Sequence, residues 1–171
     1  MYFSDKSLEL ANSLVLHAAS RGLSITSAES CTGGLIGAAI TEVPGASDVF
    51  KAGFITYANS AKAAILGVPV PLLDEAGAVS EAVARAMAEG ALMAANADLA
   101  VSATGIAGPV GGTEDKPVGL VHIAAARTGC NTLHVRRVFK GDRQSVREQT
   151  VETALALLLE QAETPPVKKQ T

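Results

Sequence analysis

The segment SITSAESCTGG, residues 24–34, sets a short β-branched run directly against a serine and a pair of glycines. The run reads as a strand, and the glycine-containing stretch after it reads as a helix start. The same kind of junction recurs three times. Apolar runs end in Tyr57-Ala-Asn59-Ser-Ala-Lys62, in Thr104-Gly105-Ile-Ala-Gly-Pro109 and in Gly141-Asp142-Arg143-Gln-Ser-Val-Arg147. Open α/β sheets bind ligands outside the carboxyl ends of their strands. Four polar strand ends therefore predict one site on one edge of a sheet.

Periodicity supplies the rest of the frame. Asp5–Ser20 reads as a helix, with Ala11, Leu14, Val15 and Ala18 on one face. Strands are predicted at Ser24–Ala28, Val49–Tyr57, Leu99–Ala103, Val118–Ala126 and Leu133–Phe139. Helices are predicted from Thr32 to Glu42, from an Asn59 cap to about Gly67, around Leu72–Ala76, and from a Ser80 cap to about Asn96. A last helix starts at Asp142, with Val151, Ala154, Leu155 and Leu158 as its buried stripe. Val83, Ala86, Met87 and Gly90 mark the stripe of the Ser80 helix. Ile106–Pro117 is a long Gly/Pro/Thr-rich loop, of a length often tied to function. The order αβαβααβββα predicts an α/β fold: a three-layer α/β/α sandwich around a mixed, mostly parallel sheet of about five strands. Helical crossovers make the first three strands parallel, and a Thr128–Asn131 hairpin returns the fifth to their direction. One domain is expected over residues 1–163, with 164–171 a disordered tail.

Composition narrows the function classes. The chain has 171 residues and a net charge of −3, with no long basic stretch, so an extended nucleic-acid surface is not expected. The start MYFSDKSLEL has neither the charged region nor the apolar core of a signal peptide. No apolar run is long enough to span a bilayer, so no membrane partner is expected. Cys31 and Cys130 lie far apart without metal spacing and read as free thiols of a cytoplasmic protein.

The chemistry sits at the four strand ends. Ser30 is a nucleophile, with the Cys31, Thr32 and Gly33 amides as oxyanion donors, or else Ser30 or Thr32 is only an N-cap. A thiol at a helix N-terminus is activated, so Cys31 is an alternative nucleophile. Two glycines in a first helical turn cost roughly 1 kcal/mol each against alanine, which points to close approach of a ligand or another backbone. His17 lies on the first helix, and His122 and His134 lie inside strands, so no histidine is placed as a base. Lys62 is the better base, or a solvated lysine; near a helix N-terminus its amine is pushed toward neutrality. Tyr57 could relay the proton or hold a substrate. Arg143 and Arg147 repel each other and oppose their helix dipole, a conflict relieved either by a bound anion or by hydration with Glu148 and Glu152 compensating nearby. Thr104 and the loop amides could line an anion or amide pocket.

AESCTGG, YANSAK, GAVSEAVARAMAEGA, TGIAGPVGGTEDKPVG and FKGDR together resemble the CinA C-terminal domain family over about Leu8–Leu159. The resemblance implies hydrolysis of nicotinamide mononucleotide to nicotinate mononucleotide and ammonia. Ser30, Tyr57 and Lys62 would be catalytic. Cys31, Thr32, Gly33, Asn59, Thr104, Gly105, Arg143 and Arg147 would bind substrate. It implies a small-molecule nucleotide substrate. A homo-oligomer is expected, and no metal or cofactor, because no His/Cys/Asp/Glu cluster in the sequence has metal-ligand spacing. Val110 stands where members more often carry glycine. A non-catalytic pyridine-nucleotide-binding module and a competence- or damage-related partner protein are the alternative functions.

Overall fold

The computed structural model describes residues 3–165. In chain order the elements are α1 (Asp5–Arg21), β1 (Ile25–Glu29), α2 (Leu35–Thr41), a 3-10 turn (Ala46–Asp48), β2 (Phe50–Ile55), α3 (Asn59–Leu66), α4 (Val70–Ala76), α5 (Glu81–Ala95), β3 (Leu99–Gly105), β4 (Leu120–Arg127), β5 (Leu133–Val138) and α6 (Arg143–Glu163). The strands form one open sheet in the order β2-β1-β3-β4-β5. β1 pairs parallel with β2 and with β3, while β4 is antiparallel to both β3 and β5. The carboxyl ends of β1, β2, β3 and β5 thus share one edge, as the helical crossovers and the hairpin predict.

Two apolar layers flank the sheet. On one face, Leu14 and Val15 of α1, Ile36 and Ile40 of α2, and Val151, Leu155 and Leu158 of α6 pack with Val101, Val121 and Ile123. On the other, Leu66, Leu73, Val83 and Met87 from α3, α4 and α5 pack with Ala28, Ala100 and Ala124. The buried stripes of α1 and α6 are those the periodicity predicts. On α5 the stripe shifts: Ala84 and Ala88 are buried, while Ala86 is only half-buried. Small residues let this helix lie close to its neighbours. A Cβ on Gly90 would fall 1.9 Å from the Leu66 carbonyl oxygen. Gly90→Ala should therefore destabilise the chain by about 3 kcal/mol, the upper end of what overpacking commonly costs. Urea unfolding measures it, and an unchanged midpoint would contradict so close an approach of α3 and α5.

Local chemistry moves several boundaries. α4 reaches back to Val70 because Pro71 sits in its first turn, where no N–H is needed. The 3-10 turn after Pro44-Gly45 is not visible in the periodicity. β4 starts at Leu120 because Gly119, at φ 91°, first closes its N–H on the Ile106 carbonyl (2.8 Å). The loop before it is tied down rather than a free connector: the Lys116 ammonium donates to the Ala76 carbonyl at 2.8 Å. Thr164 also departs from the expected tail, since its N–H bonds the Glu160 carbonyl (3.2 Å) and its own carbonyl accepts from Arg127. The rest of that expected tail, 166–171, lies outside the described residues. Among the described residues no helix is long and apolar enough to cross a membrane.

His122 is level with Thr104 across the β3–β4 ladder, but its ring turns to a different partner. Its Nδ1 lies 3.0 Å from Nε2 of His134, whose Nδ1 lies 3.5 Å from the Glu81 carboxylate. Burial first, then the neighbouring His134 and Arg136, pushes His122 down to about 4. Burial also lowers His134, against an opposing pull from Glu81. The unfolded chain, with histidines near 6.5, therefore binds more protons than the folded one between pH 4 and 6.5. Stability should be complete above that window and fall as the pH drops through it. Urea midpoints across the window check this; His122→Phe should flatten the slope, and an unaltered slope would assign the loss elsewhere.

Candidate active site

β1 ends at Glu29 and Ser30 comes directly after it. The Ser30 N–H donates to the Ala103 carbonyl of β3 (3.0 Å), and the Thr56 N–H donates to the Glu29 carbonyl (2.9 Å). The backbone leading into Ser30 is thus held from both neighbouring strands. The chain then turns before it coils. Gly33 and Gly34 take φ of 60° and 101°, a region that glycine enters without steric cost, and α2 begins only at Leu35. This corrects the predicted start at Thr32: the two glycines shape a turn and are not in a first helical turn. It also removes one oxyanion donor. The Gly33 N–H closes on the Ser30 carbonyl (3.1 Å), whereas the Cys31 and Thr32 amides donate to no backbone carbonyl among the described residues.

The amino end of α2 is occupied by Glu29. Its buried carboxylate accepts from the N–H groups of Gly34 (3.0 Å), Ile36 (3.0 Å) and Gly37 (2.8 Å). A fourth donor is the Ser27 hydroxyl at 3.1 Å. Glu29 is absent from the residues expected at the site from sequence. The signal was available: an acidic side chain closing a buried strand just before an amide-rich turn, with no cation at hand.

Lys62 arrives from α3. Ala58, not Asn59, precedes that helix, with no side-chain cap; its carbonyl accepts the Lys62 N–H at 3.1 Å. Asn59 is exposed in the first turn. The Lys62 side chain is only 1% exposed, which lysine rarely tolerates without partners. It has three: Nζ donates to the Thr56 carbonyl (2.8 Å), the Tyr57 carbonyl (3.2 Å) and the Ser30 hydroxyl oxygen (3.2 Å). Burial lowers its pKa below the ordinary lysine value, with the neighbouring Cys31 pulling slightly the other way. The solvated-lysine alternative is thereby excluded, and Ser30 and Lys62 are brought into direct contact.

Cys31 meets the opposite environment. Burial, with a further contribution from the Glu29 charge, pushes its thiol up to about 11. It stands before the helix, not at its first amides. At neutral pH it is a thiol, so the alternative nucleophile loses its physical basis.

The remaining expected residues divide. Tyr57 is 63% exposed, and its hydroxyl lies 3.4 Å from Arg143 Nη2; only its carbonyl reaches Lys62. A relay through the phenol is therefore not formed. Arg143 and Arg147 sit in the first two turns of α6, behind an Asp142 cap. Arg143 Nη1 donates to the Gly108 carbonyl at 2.9 Å, which ties the long loop to the site. Arg147 Nη2 donates to the Thr32 carbonyl at 2.9 Å, while its buried Nε has no partner. With Leu35, Gln144 and Glu148 the two arginines line a groove of about 440 Å³ beside the serine turn. The Thr104 hydroxyl donates to the Ala78 carbonyl (2.8 Å) and is not free. Gly105 is a packing glycine, since a Cβ there would lie 2.6 Å from Val121 Cγ2. Among the described residues no group of three or more His, Cys, Asp or Glu is disposed to hold a metal ion.

Fold and site together define an α/β/α sandwich with a buried serine–lysine pair at the carboxyl edge of its sheet. The chain belongs to the CinA C-terminal domain family, whose pattern it matches over residues 7–162. It is 51% identical over 156 residues to a CinA-like protein of Anaeromyxobacter sp. (strain Fw109-5), covering 91% of this chain and 38% of that protein. The chain thus spans well under half the length of the curated relatives it matches. Among solved structures it is similar to the competence/damage inducible protein CihA of Agrobacterium tumefaciens, with 46% identity and a TM-score of 0.90, over 92% of this chain and 96% of that one. A competence-damaged protein (CinA) superfamily protein of Escherichia coli shares 36% identity at a TM-score of 0.87, over 93% of each chain.

Proposed function

We propose that the chain hydrolyses the carboxamide of nicotinamide mononucleotide, giving nicotinate mononucleotide and ammonia. The observation that carries this reading is the 3.2 Å contact between Lys62 Nζ and Ser30 Oγ in a place where burial favours the neutral amine. A neutral amine has two N–H bonds and one lone pair. The Thr56 and Tyr57 carbonyls accept the two N–H bonds, which leaves the lone pair for the Ser30 hydroxyl proton. Loss of the lysine proton therefore reverses the hydrogen bond and makes the serine the donor.

The reaction proceeds from that orientation. Ser30 Oγ attacks the carboxamide carbon as its proton passes to Lys62. The Cys31 and Thr32 amides are the donors left to face the oxyanion. As the tetrahedral adduct collapses, the C–N bond breaks and Lys62 returns the proton to the departing nitrogen, releasing ammonia. Water then adds to the acyl-serine, gives its proton to Lys62, and the ester bond breaks as Ser30 regains a proton. The result is one amide and one water consumed, one carboxylic acid and one ammonia formed.

The groove beside the serine turn supports a nucleotide substrate. Arg143 and Arg147 form no salt bridge among the described residues. The Glu148 carboxylate that also lines the groove accepts from Gln144, and both arginines stand at the amino end of α6, where an anion is favoured. Arg143→Ala should weaken binding of the mononucleotide by about 1.5–3 kcal/mol, the range for a charge-assisted contact. Nicotinamide riboside, which lacks the phosphate, should lose much less. Calorimetry with both ligands checks this, and equal losses would reassign Arg143 to structure. The reaction itself is tested by chromatography of nicotinamide mononucleotide incubated with the purified chain. Nicotinate mononucleotide should form in step with ammonia; an unchanged substrate would overturn the reading.

A further inference from the structure

Glu29 stands next to the reacting serine, and the proposed reaction gives it no role. It is 1% exposed, and no lysine, arginine or histidine among the described residues forms an ion pair with it. Taking a carboxylate out of water is costly unless it is hydrogen-bonded. Here four donors meet it: three backbone amides on the far side of the serine turn and the Ser27 hydroxyl. A glutamine would occupy the same space without the charge, so packing alone does not call for a carboxylate here.

The bonds have a direction. Glu29 is the last residue of β1, and the amides it holds belong to Gly34, Ile36 and Gly37. The carboxylate therefore spans Ser30–Gly33, clamping the exit of the turn to the strand that enters it. Arg147 clamps the turn's middle from α6 through the Thr32 carbonyl. The turn itself has two residues at positive φ, and the helix that follows it, α2, has only seven residues. The clamp also engages the amino-terminal amides of α2, so the charge developing on a substrate must be met by the turn amides of Cys31 and Thr32.

We infer that Glu29 is a positioning residue, whose clamp on Gly34, Ile36 and Gly37 holds Ser30 Oγ against Lys62 and aims the Cys31 and Thr32 amides at the developing oxyanion. The inference rests on the serine–lysine mechanism proposed for this site. Catalytic geometry is sensitive at this scale, since a misplacement of about 1 Å can cost on the order of 10²-fold in rate.

Glu29→Gln tests it. The amide side chain has one acceptor oxygen and an NH₂ group that faces N–H donors, so part of the clamp is lost at constant volume. The substrate-independent readout is the rate at which a fluorophosphonate probe labels Ser30; the second is the affinity for nicotinate mononucleotide, which reads the arginine groove. Labelling and kcat should fall together by about 10- to 100-fold, with KM and product affinity unchanged. Labelling at the wild-type rate overturns the inference, and so does loss of product affinity in parallel with labelling, which would make Glu29 a general structural residue. Should Glu29→Gln not fold, Ser27→Ala decides: removing that one donor loosens the carboxylate and should slow labelling by a smaller factor, and a wild-type rate would overturn the inference. A wild-type chain that is not labelled at Ser30 at all fails the serine–lysine mechanism itself, and the inference falls with it.

Discussion

Ser30→Ala should keep the fold and lose about 10³-fold or more of the ammonia release from nicotinamide mononucleotide, on the scale seen when a nucleophile is removed from a serine hydrolase. The change removes one oxygen at a position 8% exposed, so little packing is lost. The Ser30 N–H would still reach the Ala103 carbonyl, and the arginine groove would be untouched. Nucleotide affinity should therefore stay within a small factor of wild type. This split also separates the enzyme from a non-catalytic binding module, for which the substitution would change nothing measurable. Near-normal turnover in the variant would remove Ser30 as the nucleophile.

Lys62→Met should cost about 10²-fold or more, the usual scale for loss of a general base. The pH profile is the sharper readout. Burial lowers the lysine pKa from 10.5, so the fraction of neutral amine rises with pH until that lowered value is passed. The wild-type rate should climb with pH over the same interval and then level. In Lys62→Met the residual rate should lack this limb. A normal rate with an unchanged profile would exclude the lysine as base. The substitution also leaves the Thr56 and Tyr57 carbonyls without their donor, so a folding check belongs beside the kinetics.

The edge that carries the site was legible in the sequence because strand direction is set by connection type. Helices between β1, β2 and β3, a connection without a helix between β3 and β4, and a short turn between β4 and β5 favour one arrangement of directions. Ser30 and Lys62 were legible as partners for a different reason: no histidine comes after a carboxyl strand end, and the fourth residue of a helix can reach back toward its start. The features that were not legible depend on side-chain direction at long range. The Thr104 hydroxyl turns to Ala78, and the Tyr57 hydroxyl turns to Arg143, although both residues stand at the predicted edge. Position along a strand gives an edge, but not the partner across a gap. Glu29 was visible as an acidic residue closing a buried run, but not its partners: three of its four donors are amides five to eight residues downstream, in a turn whose shape only the positive-φ glycines reveal. The same glycines explain why α2 starts late, since a sequence of small residues reads equally well as a turn or a first helical turn.

The most direct measurement is a mass analysis of the wild-type chain stopped in acid within the first turnover of nicotinamide mononucleotide. The serine–lysine account predicts an acyl group on the peptide that contains Ser30, formed as ammonia appears and absent from Ser30→Ala. Ammonia release at the full rate with no acyl group on Ser30 at any time would contradict it.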